Sequence, residues 1–173
     1  MHGIYPRMSN DDENKAAFVA RYGGIYEHSA WVAEQSVIEA GKVQDIEELA
    51  TLLAECVDNS SQERRLALIK AHPDLAGHAA IAGELTEASN EEQASAGIDQ
   101  CSPEEFARFK DLNERYKAKF DFPFVMAVRK SNRHEILAAF ETRLSNDSDD
   151  EFEQAIAEIH KIARLRLAAE EQQ

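Results

Sequence analysis

Apolar positions along the chain recur at intervals of three and four rather than two, which is the spacing of helices that bury one face. Seven Gly and four Pro punctuate 173 residues, so long stretches are free to propagate as helix. The fold class predicted is all-α, a single compact bundle-like array of seven or eight helices spanning 1–173, with 1–10 a loose N-terminal segment. Helices are predicted at about 11–21, 29–40 closed by Gly41, 45–57, and 62–71, where Pro73 stops propagation.

Ser102-Pro103-Glu104-Glu105 places a capping hydroxyl at N-cap, Pro at N1 and a carboxylate at N3. It opens a helix that carries Phe106, Phe109, Leu112, Tyr116 and Phe120 on one face. Asn132 with Glu135 starts another, bearing Ile136, Leu137, Phe140 and Leu144. Between the two lies the short, Pro-interrupted apolar stretch Phe122-Pro123-Phe124-Val125-Met126. Residues 146–150 read as a polar acidic joint, too short to divide the chain into domains.

The last helix is the most informative. Advancing about 100° per residue from Phe152 gathers Phe152, Ile156, Ile159, Ile162 and Ala163 into one apolar stripe. Arg166 falls within that stripe, whereas Lys161 and Arg164 point away. A guanidinium facing inward needs a carboxylate, main-chain carbonyls or a bound anion, because leaving it unpaired out of water costs several kcal/mol.

Charge narrows the partners. Lys and Arg number 19 against 33 Asp and Glu, a formal charge of -14 that repels phosphate backbones and anionic lipid, so neither nucleic acid nor a membrane surface is expected. A small anionic substrate would need positive charge placed locally by a few side chains. Cys56 and Cys101 have neither zinc-site spacing nor the density of a disulfide scaffold; they read as buried apolar fillers in a reducing cytoplasm. The opening residues lack a signal-peptide pattern and no 18-residue apolar run occurs, so a cytoplasmic location is expected.

Three groups of residues could carry chemistry. In His72-Pro73-Asp74-Leu75-Ala76-Gly77, Pro73 biases His72 out of the α region and leaves its imidazole at a helix end, either bonding the last carbonyls or facing a cleft. Ser89-Asn90-Glu91-Glu92-Gln93 reads as a capping box with Ser89 at N-cap and Glu92 at N3. The same geometry sets Ser89, Glu92 and Gln93 beside open N–H groups suited to an anion. Arg166 is the third. A metal site built from His72, Asp74, His78 and Glu92 is not expected, since the spacing matches no zinc pattern. A Gly-rich phosphate loop and a G-x-S-x-G elbow are also missing.

Taken in order, His72-Pro73-Asp74-Leu75-Ala76-Gly77, Ser89-x-x-Glu92-Gln93-x-x-Ala96-Gly97 and Phe122-Pro123-Phe124-Val125 resemble the 2-oxo-4-hydroxy-4-carboxy-5-ureidoimidazoline (OHCU) decarboxylase family. Gly23-Gly24-Ile25-Tyr26-Glu27-His28-Ser29 and Ile162-Ala163-Arg164-Leu165-Arg166-Leu167 extend the resemblance over nearly the whole chain. Ala30 departs from the Pro that often follows His-Ser in similar bacterial sequences, a change at a helix start. The resemblance implies an all-helical, cofactor-free enzyme, usually a homodimer, that converts OHCU to (S)-allantoin and carbon dioxide in urate breakdown. It implies His72 and Glu92 as the catalytic pair. Substrate contacts would come from Pro73, Ser89, Gln93, Phe124, Val125, Met126, Ala127, Val128 and Arg166. Two other readings stand beside it: a non-catalytic acidic helical interaction module, with Arg166 paired internally, and a hydrolase of another ureide.

Overall fold

The computed structural model describes residues 12–77 and 83–171. Among them there are eight α-helices and no strand: α1 (Asp12–Tyr22), α2 (Trp31–Ala40), α3 (Ile46–Asp58), α4 (Gln62–Lys70), α5 (Glu87–Ser95), α6 (Pro103–Phe120), α7 (Arg133–Arg143) and α8 (Ser148–Glu171). A single 3₁₀ turn, Ile98–Gln100, follows α5. The all-helical expectation holds. The expected loose segment at 1–10 and His78 lie outside the described residues. No described helix is long and apolar enough to cross a membrane.

Most helix starts are closed by side chains of the expected type, each worth about 1 kcal/mol. Asp45 accepts from the Glu48 amide at 2.8 Å, and Ser61 from Arg64 at 3.1 Å. Ser102 forms a full capping box with Glu105, at 3.1 Å and 2.9 Å. Asn132 Oδ1 accepts from the amides of His134 and Glu135. Residues 148–150 of the acidic joint are instead the start of α8, and Asp147 before them accepts from the Asp150 amide at 2.9 Å. Helix α2 starts two residues later than expected, because the Ser29 hydroxyl donates back to the Glu27 carbonyl instead of capping forward.

The chain divides into two units, one of 1–71 with 160–173 and the other of 72–159. In the first, α2 packs against α1 and α3 around Phe18, Val32, Val37, Leu49, Leu53 and Val57. Its C-terminal helical stretch adds Ile162, Ala163 and Leu167, and His160 joins the buried Tyr26 hydroxyl at 2.8 Å to Asp58 at 2.9 Å. Trp31, the only tryptophan, is half-buried with the Arg64 guanidinium 4.6 Å from its ring centre. The second unit is built on aromatic rings: Tyr116 packs edge-on against Phe122, Phe124 and Phe140, and Phe124 stacks on Phe140 at 3.9 Å. Cys56 and Cys101 are not the buried fillers expected; both are half-exposed thiols. Cys56 points to the Gln35 amide oxygen at 3.6 Å, a polar contact that an apolar filler would not make.

Candidate active site

Helix α4 ends before Pro73, and its last carbonyls are closed by the Ala71 amide, which donates to Ala67 and Leu68. His72 therefore stands just past the helix, as expected, with only 8% of its surface exposed. The chain beyond it is held by side-chain amides. Gln93 Oε1 accepts from the Ala76 amide at 3.1 Å, and its Nε2 donates to the Asp74 carbonyl at 3.4 Å. Asn113 Nδ2 donates to the Leu75 carbonyl at 3.0 Å, and Lys117 pairs with Asp74 at 2.6 Å. These contacts hold Ala76 at φ 53°, left-handed backbone that costs a residue with a side chain about 1–2 kcal/mol. Gly77 is required by space, since a Cβ there would lie 2.6 Å from Asp74 Cβ. A cleft of about 440 Å³ runs behind this loop, between Ala76, Phe106, Lys110 and Lys117; His72 and Glu92 do not line it.

Helix α5 corrects the capping-box reading. Its N-cap is Thr86, whose hydroxyl accepts from the Ser89 amide at 3.2 Å, so Ser89 is already inside the first turn and Glu92 inside the second. Neither residue is the N-cap. Ser89, Glu92 and Gln93 are instead its buried residues, 5%, 8% and 5% exposed. A helix that buries a hydroxyl, a carboxylate and an amide rather than leucines contributes polar function to the interior, since such groups are rarely buried without a specific partner. Gln93 ties this helix to the loop that follows His72.

The 124–128 segment belongs to no helix, as Pro123 prevents α6 from resuming. Phe124, Val125 and Val128 are buried, Met126 and Ala127 half-buried. Arg143 Nη1 donates to the Val125 carbonyl at 2.6 Å, Glu158 Oε1 accepts from the Ala127 amide at 3.2 Å, and the Val128 carbonyl accepts from Ser131. No described residue accepts from the amides of Val125, Met126 and Val128.

In the other unit, Arg166 faces inward as its wheel position predicts, 7% exposed. Its Nη2 meets Glu27 Oε2 at 2.7 Å, and Nη1 reaches the carbonyls of Gly24 and Ile25 at 3.3 and 3.4 Å. Carboxylate and carbonyl partners were two of the three kinds its burial demands.

The OHCU decarboxylase family model matches residues 11–168. The chain belongs to the OHCU decarboxylase family. An OHCU decarboxylase of Haloferax volcanii is 42% identical over 170 residues, 97% of this chain and 96% of that protein. The OHCU decarboxylase of Xenopus laevis is 32% identical, over 87% of this chain and 85% of that one. A solved (S)-allantoin synthase, 36% identical, matches with a TM-score of 0.71 over 90% of this chain and 50% of its own. A solved OHCU decarboxylase, crystallised in the presence of (S)-allantoin and 23% identical, shares the fold at a TM-score of 0.69.

Within this OHCU decarboxylase family chain, sequence reasoning missed buried polar groups: Glu27 in the turn after α1, and Asn113, Arg143, Glu151 and Glu158 on apolar helix faces. For two of them a signal existed. Glu151 and Glu158 stand seven residues apart, two turns of α8, beside the buried Ala155 and Ile162. Among the described residues no three of His, Cys, Asp and Glu are grouped to hold a metal ion.

Proposed function

We propose that this chain decarboxylates OHCU to (S)-allantoin and carbon dioxide, with His72 and Glu92 moving protons and the substrate serving as its own electron sink. The observation that carries this reading is the family match over 11–168, which includes a helix whose buried face is Ser89, Glu92 and Gln93.

Loss of carbon dioxide from the carboxylate-bearing carbon leaves an electron pair. That pair forms a double bond to the neighbouring ring carbon, whose C=N π electrons move onto nitrogen and are met by a proton. The resulting enol then takes a proton on that ring carbon and loses its hydroxyl proton, giving the ring carbonyl and the new stereocentre. An electron sink of this kind is what a cofactor supplies in other decarboxylases, so no cofactor is needed here. Two proton deliveries and one removal remain for the protein. His72, coupled to Glu92, exchanges protons with the ring nitrogen and hydroxyl. The amides of 124–128 and the Arg166 guanidinium hold the ring and ureido arm, so that one face receives the proton. Ser89, Gln93 and Pro73 complete the contacts.

The test generates OHCU in situ with uricase and 5-hydroxyisourate hydrolase and follows chiral allantoin by circular dichroism. Acceleration over the spontaneous, racemic decay is expected; none would sink the assignment. His72→Ala should lower turnover by about 10² to 10⁴ with its fold intact. Glu92→Gln should lower turnover with an unchanged melting temperature, since the helix is capped by Thr86 and Glu92 stands in its second turn. The same reading makes the enzyme a cytoplasmic homodimer, checked by fractionation and by light scattering on the purified protein.

A further inference from the structure

The 124–128 segment is gripped by charge that the apolar pattern of α7 and α8 does not announce. Glu151, with no exposed surface, accepts from Arg143 Nε at 3.1 Å and Nη2 at 2.9 Å, from Asn146 at 2.9 Å and from the Tyr116 hydroxyl. Arg143, thus fixed, lays its guanidinium 4.3 Å from the Phe124 ring centre and directs Nη1 to the Val125 carbonyl at 2.6 Å. Two residues on, the Ala127 amide donates to Glu158, itself 6% exposed.

Net stability does not account for this arrangement. A buried ion pair is often no better for stability than apolar side chains of the same volume. What Arg143 supplies that a leucine cannot is a short, directional, charge-assisted bond to one main-chain oxygen. Glu158 does the converse for one main-chain N–H. Between and beside those two pinned groups stand the amides of Val125, Met126 and Val128, which have no acceptor among the described residues.

We infer that Arg143 and Glu158 are positioning residues for the reaction: by fixing the Val125 carbonyl and the Ala127 amide they aim the neighbouring amides at the substrate's carbonyl oxygens. The chemistry is complementary, because the ring and ureido carbonyls are acceptors and the three amides are donors. This rests on the reading above that 124–128 meets the substrate, and the experiment separates the two.

Backbone amide shifts of the ¹⁵N-labelled full chain are followed while (S)-allantoin is added, first to the wild type and then to Glu158→Met, Glu158→Gln and Arg143→Lys. In the wild type the amides of Val125, Met126 and Val128 shift. Glu158→Met weakens the allantoin Kd and lowers kcat, each by about tenfold, in line with losing one buried hydrogen bond that orients the site. Glu158→Gln, whose amide oxygen can still accept from Ala127, comes back to within about twofold of the wild type. Arg143→Lys, which keeps the charge but not the fork, weakens Kd in the same direction and serves if Glu158→Met does not fold. Wild-type amides that stay still overturn the site assignment and the positioning role with it. Amides that shift in the wild type, beside variants that bind and turn over normally per folded molecule, overturn the positioning role alone. So does a Glu158→Gln variant as impaired as Glu158→Met.

Discussion

Arg143 and Arg166 are buried to nearly the same degree, 8% and 7% exposed, and each meets a glutamate and main-chain carbonyl oxygen, yet the bonds differ in length. Arg143 engages Glu151 through both Nε and Nη2, and Glu151 is ringed by Tyr116 and Asn146 as well. Its one carbonyl contact is short, 2.6 Å. Arg166 meets Glu27 at 2.7 Å, and its contacts to the carbonyls of Gly24 and Ile25 are longer, 3.3 and 3.4 Å. The first guanidinium is closed around its partners from several directions. The second holds the main chain at Gly24 and Ile25 through these longer bonds. Burial and a glutamate partner are common to both arginines; the lengths of their main-chain bonds are not.

The contrast can be broken most forcefully at Arg143. Arg143→Met leaves Glu151 buried without its cation and should cost about 3–5 kcal/mol in a denaturant titration, while Arg143→Met with Glu151→Met should recover most of that. At Arg166 the change should fall on turnover. Arg166→Lys keeps the charge and loses the fork, and is expected to slow allantoin formation on the order of 10², with a smaller loss of stability than Arg143→Met. Equal stability losses with normal turnover would make the two arginines one kind.

A smaller effect should appear in the pH dependence of folding. Burial pushes the Glu151 carboxyl up, but the hydrogen bonds from Arg143, Tyr116 and Asn146 outweigh it and hold the group below its ordinary 4.5. Burial, then the bond to Glu151, push the Tyr116 phenol above its ordinary 10.0. A depressed carboxyl contributes stability above 4.5 that is lost as pH falls below it, and a raised phenol contributes stability below 10.0 that is lost as pH rises. Glu151→Gln should therefore flatten the acid limb of a stability-against-pH curve. The smallest change concerns the loop that Arg166 grips. Ala30, at its exit, has φ -56°, which proline adopts without strain, and its amide donates to no described residue. Ala30→Pro should stabilise by about 0.4–1 kcal/mol in the same titration.

Much of this was legible from residue order. Ser102-Pro103 and Asn132 mark helix starts that the structure reproduces, because a cap is a local arrangement of a few neighbouring groups. Arg166 was legible because a cation interrupting an apolar stripe is conspicuous. Thr86 was hidden behind the more familiar string at Ser89 and Glu92, because Thr86-Glu87-Ala88-Ser89 lacks the glutamate that completes a capping box. Only packing decides between them. Asn113 stands next to Leu112 and four residues after Phe109, on a face read as purely apolar, and its partner, the Leu75 carbonyl, is 38 residues away. Glu151 and Glu158 escaped for the same reason. Periodicity reports which face is turned inward, but a polar residue on that face declares itself only when its distant partner is known.

The Trp31 and Arg64 contact has a practical side. The lone indole belongs to the 1–71 and 160–173 unit, while the ring cluster around Tyr116 belongs to the other. Fluorescence excited at the red edge of the tryptophan band thus reads one half of the molecule, and Tyr116, through its near-ultraviolet dichroism, contributes a signal from the other. The protein carries a built-in pair of reporters, and whether its two halves lose structure in one step or two can be seen without attaching a label.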